Sequence, residues 1–390
     1  MRILLVIDYY QPQLGYSESC LVKELVQQGH QVAVLTSNYY YPFPDYQQTA
    51  GKLMGDRELK PGIKEENGVL LIREELKFEI FSRAFMGGQE RSLKLFKPEL
   101  VIVNGVLTFN NLMMARLKNK YKFKLVCFDS HLPSEFNREK ILLKQIIYFV
   151  FRNLFSFYIN NKVDKFIAVQ EETINIMKQF YGIKKEIDFV PLGTDTHLNQ
   201  FDEESKIILR KEYSIAIKNF VVLYTGKIIP AKGVDILFKA FNILGSRHED
   251  VNLMLVGDGK EDYKKACVEL LAEKHREKVI WVPFQPCENL YKYYSLADVG
   301  VWPLQESTAM NDAISCSLPI IANHNIGTKL RVSNSNALLY KEYDFEDLVN
   351  KIEQLYQNPK LLKAMGINGR KLATTELSWS VLANQYLLVN

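Results

Sequence analysis

The chain has 390 residues, enough for two domains of about 150 to 200 residues that each bury a core of their own. Its 49 basic and 45 acidic residues give a formal net charge of +4, a balance that argues against nucleic-acid binding. Five scattered cysteines without Cys-x-x-Cys spacing argue against a disulfide framework or a zinc site. The first residues have the pattern of a strand and not of a signal peptide, so we expect a cytoplasmic protein.

The N-terminal half alternates predicted strands and helices. Residues 2–9 form an apolar strand, a loop with Gly15 follows, residues 17–28 form a helix, and residues 31–36 form the next strand. Further buried strands are predicted for three apolar runs, at 98–104, 124–128 and 164–169.

The strand predicted at 124–128 is followed by a carboxylate and an imidazole, Asp129 and His131. A carboxylate two residues from a histidine can orient or charge the imidazole, the side chain that titrates nearest neutral pH. The alternative is a histidine that only caps or hydrogen-bonds locally.

Residues 141–159 form an apolar helical segment interrupted by Lys144 and Arg152, which argue against a membrane span. Basic residues flank the segment and outnumber the acids Glu139 and Asp164, which suits an anionic membrane surface or a lipid-linked acceptor. The flanking bases are Arg138, Lys140, Lys162 and Lys165. Because a helix that is apolar nearly all round is commonly buried, we favour packing in the core.

In the C-terminal half, an apolar strand at 221–224 ends in a basic loop that opens into a helix. Gly226 permits the turn, and Lys227 and Lys232 lie in the loop before Gly233. Free N–H groups at a helix N-terminus together with two ammonium groups favour binding of a diphosphate. The loop lacks the GxxxxGK[ST] pattern of a P-loop, and a solvated basic surface is the alternative.

More apolar runs follow at short spacing, and helical stretches lie between them. Residues 252–259 form a strand that ends in a glycine turn at Gly257, and further strands are predicted at 279–284 and 297–303. Residues 315–323 are predicted as the end of a helix followed by a fifth strand. This alternation predicts a parallel α/β sheet whose ligands bind at the carboxyl ends of its strands.

Four motifs occur in order along the chain: Pro-x-Gly-x-Asp at 191–195, Lys-x-x-x-x-Lys-Gly at 227–233, Gly-x-Gly at 257–259 and Ala-Asp at 297–298. Together they resemble the motifs of the retaining GT-B glycosyltransferases of group 1, the family 4-like enzymes that use nucleotide-sugar donors. The resemblance implies an α/β fold of two Rossmann-like domains facing across a cleft. Residues 1–200 would form the acceptor domain and residues 201–374 the donor domain, and residues 375–390 would form a helix crossing back to the first domain.

The resemblance also implies roles for single residues. Lys227 and Lys232 would bind the donor diphosphate. Asp312 would accept hydrogen bonds from the ribose hydroxyls, and His131 would face the donor sugar. Lys232, Lys227, Glu306 and His131 are thus the catalytic candidates. The remaining substrate-binding candidates are Gly15, Asp129, Gly226, Gly257, Ser307, Thr308 and Asn311. The donor would be a UDP- or GDP-type nucleotide sugar, used as a co-substrate without a cofactor or metal.

The chain departs from the family's pair of glutamates, which are separated by seven residues. Asp312 stands at the second position and Leu304 at the first, with Glu306 two residues later. Either the loop is shorter and Glu306 keeps its role, which we favour, or Glu306 is merely exposed and residues 307–311 hold the sugar.

Two further departures concern the basic loop and the first glycine loop. Lys227 replaces an arginine, so a point charge replaces a planar fork, and Tyr16 follows Gly15 where the family has two glycines. These losses leave two alternatives to a transferase, a noncatalytic GT-B scaffold or regulatory subunit and an epimerase of the same architecture.

Overall fold

The computed structural model describes residues 1–43, 46–48, 51–131, 141–327 and 329–389, without the side chains of residues 48, 52 and 141–145. The chain forms two compact units: Met1–Leu192 with Trp379–Asn390, and Gly193–Ser378. The first boundary therefore lies eight residues before the expected 200, and the C-terminal segment of the first unit begins at 379 instead of the expected 375.

The first unit is built on an eight-stranded sheet in the order β10-β9-β8-β7-β1-β2-β4-β3. Its strands are β1 (Arg2–Val6), β2 (Gln31–Ser37), β3 (Gly62–Glu66), β4 (Val69–Glu74), β7 (Leu100–Asn104), β8 (Lys124–Asp129), β9 (Lys165–Ala168) and β10 (Ile187–Phe189). Only the edge pair β3–β4 is antiparallel, and β5 (Leu76–Ile80) and β6 (Arg83–Met86) form a separate antiparallel pair.

Helices accompany this sheet, and the last one returns from the end of the chain. They are α1 (Ser17–Gln27), α2 (Gly51–Met54), α3 (Gln89–Phe96), α4 (Phe109–Tyr121), α5 (Ile141–Val150), α6 (Ser156–Lys162), α7 (Glu171–Gln179) and α16 (Trp379–Leu387). A π-helical turn, Phe151–Phe155, joins α5 to α6. Tyr386 of α16 packs edge-on against Phe128 of β8, with 5.7 Å between the ring centres. The final helix therefore belongs to the first unit.

The second unit has a six-stranded, wholly parallel sheet in the order β13-β12-β11-β14-β15-β16. The strands are β11 (Phe220–Thr225), β12 (Val251–Val256), β13 (Val279–Val282), β14 (Val299–Trp302), β15 (Ile320–Asn323) and β16 (Ala337–Tyr340). The helices are α8 (Glu203–Glu212), α9 (Val234–Arg247), α10 (Glu261–Glu269), α11 (Glu273–Arg276), α12 (Leu290–Leu296), α13 (Ala309–Ser315), α14 (Phe345–Tyr356) and α15 (Pro359–Thr375).

The strand order places a topological switch point between β11 and β14, where successive connections leave to opposite sides. Every residue of β11 is buried, as expected for a parallel strand covered on both faces. In parallel α/β sheets, ligands bind outside the carboxyl ends of strands at such a point. The loops after β11 and β14 are therefore the first place to look for a site in this unit.

The Ala-Asp motif before β14 has a structural role. The Asp298 carboxylate accepts hydrogen bonds from the Val221 backbone N–H (2.7 Å) and from the buried Arg210 guanidinium (2.8 Å). Arg210 also donates to the Leu296 carbonyl oxygen (2.9 Å). These bonds tie the start of β14 to the start of β11, and thus fix the two strands that flank the switch point.

The expectation that the segment 141–159 packs in the core is wrong for most of its described side chains. Phe151 and Ile159 are buried, but large apolar side chains on other faces are exposed to solvent, among them Ile146, Phe149, Leu154 and Phe157. The flanking residues Arg138 and Lys140 lie outside the described residues, as does the side chain of Lys144. The periodicity of the segment did not reveal which faces the sheet would cover.

Candidate functional site

The glycine turns after β11 and β12 hold two loops of the second unit against each other. Gly226 donates its N–H to the Val256 carbonyl oxygen (3.0 Å), and Ile228 donates to that of Asp258 (2.8 Å). Gly257 has a φ of +147°, and a Cβ placed on it would lie 1.9 Å from the Gly226 carbonyl oxygen. Only glycine allows the two backbones to approach this closely.

Lys227 and Lys232 lie on the loop that leaves β11. Lys227 is exposed, whereas Lys232 is half-buried and donates from Nζ to the Glu306 carbonyl oxygen (2.7 Å). Burial, Lys227 and Arg331 lower the pKa of Lys232 to about 8, and the Glu306 carboxylate opposes this shift. Because neighbouring cations disfavour the charged form of Lys232, a bound anion would stabilise it.

Arg331 links two of the predicted site residues, Glu306 and Asn311. The Glu306 carboxylate accepts a hydrogen bond from Arg331 Nη1 and another from the Gly327 backbone N–H (2.5 Å). Arg331 Nε donates to Asn311 Oδ1 (3.1 Å). Burial lowers the pKa of Arg331, and Glu306 compensates its charge. Glu306 is therefore a paired group, not a merely exposed one.

Arg331 was not among the predicted site residues. It lies between β15 and β16, in a stretch of sequence that contains none of the four motifs. The signal that could have found it is indirect: a partly buried carboxylate such as that of Glu306 needs a cationic partner.

Leu304 stands at the position that counting back from Asp312 assigns to the family's first glutamate. A Cβ on Gly233 would lie 2.6 Å from Leu304 Cγ, so Leu304 packs directly on the basic loop. Asn323 Nδ2 donates to the Leu304 carbonyl oxygen (2.6 Å) and holds the strand end in place. Ser307 and Thr308 follow in the same loop; Ser307 Oγ accepts from a backbone N–H of the first turn of α13 (3.3 Å), and Thr308 directly precedes that helix.

Asp312 lies in the first turn of α13 and receives two hydrogen bonds on one oxygen. Thr194 Oγ1 (2.6 Å) and Asn199 Nδ2 (2.9 Å) both donate to Oδ1, and no described residue donates to Oδ2. Burial raises the pKa of Asp312 to about 6, against the effect of the Thr194 bond. Thr194 belongs to the Pro-x-Gly-x-Asp motif. This motif therefore orients Asp312, the residue predicted to bind the ribose.

In the first unit, Asp129 ends β8 and binds His131 in two ways. Its Oδ1 accepts from the His131 backbone N–H (3.0 Å) and from the ring Nδ1 (2.5 Å), and its Oδ2 accepts from the Val106 N–H (2.9 Å). Burial would raise the pKa of Asp129, but His131 and these hydrogen bonds hold it at about 2. Arg83 contacts His131 Nε2. Because a guanidinium can only donate hydrogen bonds, His131 Nε2 is the acceptor of this one. Nδ1 therefore carries the ring proton and donates the hydrogen bond to Asp129.

A buried carboxylate close to this pair escaped the sequence analysis. Asp8 follows β1 and accepts hydrogen bonds from Asn110 Nδ2 (2.8 Å) and from the Ala84 backbone N–H (3.2 Å). Burial raises its pKa, and the neighbouring Arg83 opposes this shift. Gly15 lies in the loop that follows, where it ends a short 3-10 turn with a φ of +62°. A lone aspartate after an apolar strand is a common pattern, so nothing in the sequence distinguished Asp8.

The described part of the chain contains no group of three or more His, Cys, Asp or Glu side chains arranged to hold a metal ion. Within the same residues, no helix has the length and apolar character needed to cross a bilayer.

Two family models match the chain and together cover most of it. Residues 205–372 match glycosyl transferases group 1, and residues 20–198 match glycosyltransferase family 4. The chain belongs to the group 1 / family 4-like glycosyltransferases. The family inferred from the four sequence motifs is thus confirmed.

Curated relatives of this glycosyltransferase are distant. The GDP-mannose-dependent alpha-(1-6)-phosphatidylinositol monomannoside mannosyltransferase of Mycolicibacterium smegmatis is 24% identical over 234 residues, which are 57% of this chain and 60% of that protein. The capsular polysaccharide biosynthesis glycosyltransferase CapM of Staphylococcus aureus is 23% identical over 248 residues, 60% of this chain and 65% of that protein. The chain thus matches less than two thirds of the length of these relatives.

Solved structures resemble the glycosyltransferase over its whole length. Anabaena HepE, solved in complex with UDP, has a TM-score of 0.70 at 17% identity and covers 99% of this chain and 98% of its own. WaaG, a glycosyltransferase involved in lipopolysaccharide biosynthesis, has a TM-score of 0.63 at 15% identity and covers 100% of both chains. At these identities the likeness establishes the fold, which is GT-B, and confirms the predicted fold class.

Proposed function

We propose that this glycosyltransferase moves a sugar, with retention at the anomeric carbon, from a UDP- or GDP-type nucleotide sugar to a glycan or lipid-linked acceptor. Its place is polysaccharide or glycoconjugate assembly in the cytoplasm. The donor binds the second unit and the acceptor the first, and no cofactor or metal ion takes part.

One observation carries the donor site: positive charge collects beside the switch point of the second sheet. Burial lowers the pKa of Lys232 to about 8, and the charges of Lys227 and Arg331 act in the same direction, against the Glu306 carboxylate. An anion placed there relieves this repulsion, and a nucleoside diphosphate supplies the required charge. HepE, whose fold is the same, was solved with UDP.

The roles of the residues follow from their chemistry. Lys227 and Lys232 neutralise the diphosphate as it leaves, which is the kind of electrostatic stabilisation that dominates many enzymatic rate enhancements. Asp312 accepts ribose hydroxyls through Oδ2, while the bonds from Thr194 and Asn199 to Oδ1 fix its orientation. The Arg331–Glu306 pair holds the loop that faces the donor sugar. No nucleophile is assigned.

A noncatalytic subunit is the second candidate, and a specific observation favours it. Leu304 places an apolar side chain where the family has its first glutamate, and Glu306 is already engaged by Arg331. A degenerate donor site of this kind would still bind nucleotide but would transfer no sugar.

The test begins with calorimetric titration of UDP, GDP, UDP-glucose and GDP-mannose. We expect one nucleotide type to bind, and Lys232→Ala to weaken it by about 1.5 to 3 kcal/mol, the range for a hydrogen bond to a charged group. Lys239→Ala, at an exposed position of α9, is the matched control and should bind like the parent protein.

Turnover then separates the two candidates. Transfer to an oligosaccharide or lipid-linked acceptor, with the anomeric configuration of the product read by NMR, supports the retaining transferase. Nucleotide binding without turnover on any acceptor would favour the noncatalytic subunit. Equal affinity of Lys232→Ala and the parent protein would remove the basic loop from the donor site.

A further inference from the structure

The helical segment of residues 146–158 exposes large apolar side chains to solvent. Phe149, Leu154 and Phe157 are 69%, 67% and 77% exposed, and Ile146 and Tyr158 add to the same surface. We call the exposed side chains of residues 146–158 the apolar face. Large apolar side chains exposed close together along one helical segment are typical of a site of interaction.

The segment that carries the apolar face has basic residues but no acidic ones. No aspartate or glutamate occurs between residues 141 and 163. Arg152 and Lys178 are exposed beside it, and Arg152 Nη1 donates to the Gln179 carbonyl oxygen (2.9 Å). Lys162 Nζ lies 5.9 Å from the ring centre of Tyr158.

A basic cavity of about 780 Å³ lies at the end of this segment. Seven of its lining residues are lysine or arginine and two are acidic. It opens at the amino ends of strands on either side of β7, since Arg2 begins β1 and Lys124 begins β8. Lys118 connects the cavity to the apolar face, because its Nζ donates to the carbonyl oxygen of Lys162, the last residue of α6 (2.6 Å).

Helix capping does not account for so many cations. The carbonyl ends of α3 and α4 meet the cavity, and each end attracts a cation with only about half a unit charge. Asp164 and Glu90 pair with Lys118 and Lys120 (both 2.6 Å), which leaves a net positive cavity. Lys97 and Lys122 have φ values of +49° and +53°, a conformation that favours glycine or asparagine, yet lysine occupies both positions.

We propose that the apolar face and the basic cavity together form a docking surface for an anionic bilayer. The apolar face enters the boundary between headgroups and acyl chains, and the cavity accepts a lipid phosphate or carboxylate. In chain order the segment comes after β8, the strand that ends in Asp129 and precedes His131. The link to a lipid-linked acceptor rests on the proposed function; the docking itself does not.

Co-sedimentation with vesicles tests the proposal without donor or acceptor. With vesicles of phosphatidylcholine and phosphatidylserine at low salt we expect binding that falls steeply as salt is raised, and little binding to phosphatidylcholine alone. The triple variant Phe149→Ser, Leu154→Ser, Phe157→Ser should bind at least about ten-fold more weakly, because it removes the apolar area that enters the bilayer. The control triple variant Ile207→Ser, Ile208→Ser, Ile217→Ser changes exposed apolar residues of the second unit and should bind like the parent.

The basic cavity is tested separately. Lys97→Gln with Lys122→Gln should weaken binding to anionic vesicles by about five-fold per charge removed. Lys239→Gln with Lys265→Gln, at exposed positions of the second unit, removes the same charge elsewhere and should have little effect. If both pairs weaken binding equally, the cavity is not a headgroup site.

An independent measurement covers the case in which the triple variant does not fold. Phe157→Trp places an indole on the apolar face, and its fluorescence should be quenched by lipids brominated on the acyl chains. Bound protein without quenching, or no binding to phosphatidylserine vesicles at low salt, overturns the proposal. A parent dimer that becomes monomeric only in the serine variant, with no vesicle binding, would show instead that a second copy covers this face.

Sugar transfer to a soluble acceptor distinguishes this failure from failure of the proposed function. The serine variant should keep that transfer, because its substitutions lie outside the donor site. A protein that binds vesicles but transfers nothing would keep the docking surface and contradict the transferase.

Discussion

Lys232 and Asp312 are candidate residues whose pKa values are displaced towards neutral pH. Burial and neighbouring cations lower the pKa of Lys232 to about 8, and burial raises that of Asp312 to about 6. Between these two pH values Lys232 is protonated and can bind a phosphate, and Asp312 is ionised and can accept hydrogen bonds from ribose hydroxyls. Outside them, one of the two groups is neutral.

Affinity for the nucleotide sugar should therefore be highest between about pH 6 and pH 8. Protonation of Asp312 on the acid side removes the charge that accepts ribose hydroxyls, and deprotonation of Lys232 on the alkaline side removes a charge from the diphosphate site. The phosphates of a bound nucleotide stabilise the charged form of Lys232, so the pKa of Lys232 is higher in the complex than in the free protein. Calorimetry with an intact nucleotide sugar is suitable, because its diphosphate diester does not titrate in this range.

Two variants assign the limbs of this pH profile. Asp312→Asn should flatten the acid limb at a lower overall affinity, and Lys232→Arg should keep the alkaline side flat, because a guanidinium stays charged. An affinity that does not change from about pH 5 to about pH 9 would mean that neither group contacts the donor.

Local patterns identified residues next to glycine turns but not their partners from distant loops. Lys227 and Lys232 could be singled out because they follow a strand and a glycine and precede a helix. Arg331 could not, since it reaches Glu306 and Asn311 from a loop that no local rule connects to them. The same holds for Asp8, whose partners come from other elements. Assignments of ligand contacts to these residues stay predictions.

Among the elements, the buried parallel strands follow most directly from the sequence. Their apolar runs are long enough and β-branched enough to be strands, and burial on both faces removes the ambiguity of alternation. The glycine turns after them are equally informative, because the backbone contact between Gly226 and Gly257 leaves no room for a side chain.

This contact makes a prediction for Gly257→Ala. The new Cβ would lie 1.9 Å from the Gly226 carbonyl oxygen at a φ of +147°, so the loops after β11 and β12 must separate. We expect a loss of about 3 kcal/mol or more in unfolding free energy, from strain and overpacking together, and weaker nucleotide binding.

Gly29→Ala is the matched control for this prediction. Gly29 also has a positive φ, +82°, but a Cβ there would meet no atom within 4 Å. The control should lose only about 1 kcal/mol, from backbone strain alone. Chemical denaturation compares the two variants, and equal losses would show that the contact between the glycine turns contributes nothing.

The segment 141–159 shows where sequence reasoning at this scale stops. It is apolar on nearly every side, so periodicity cannot say which face the sheet covers. The structure buries Phe151 and Ile159 and leaves Phe149 and Phe157 in solvent. Neighbouring elements make that choice, and they are not encoded in the spacing within the segment itself.

At the scale of the whole molecule, the candidate residues belong to two sheets that are organised in a similar way. In each unit the first strand lies inside the sheet, with later strands added on both sides, and the candidate residues follow strands at their carboxyl ends. A near-neutral chain can still concentrate charge locally, as lysines and Arg331 do in the second unit and the basic cavity does in the first. The near-neutral net charge argued against a nucleic-acid partner but said nothing about these local fields.

The last prediction follows from the positive charge of the second unit. We expect sugar transfer to continue in excess chelator. In the proposed mechanism, Lys227 and Lys232 would supply the positive charge that a divalent cation would otherwise bring to the leaving diphosphate. Initial rates in EDTA should stay within about two-fold of those in Mg²⁺, whereas Lys232→Ala should gain more from added Mg²⁺ than the parent does, because the ion can replace part of the lost charge. Complete loss of transfer in EDTA, restored by Mg²⁺ or Mn²⁺, would show that the lysines do not suffice and that a metal ion joins the donor.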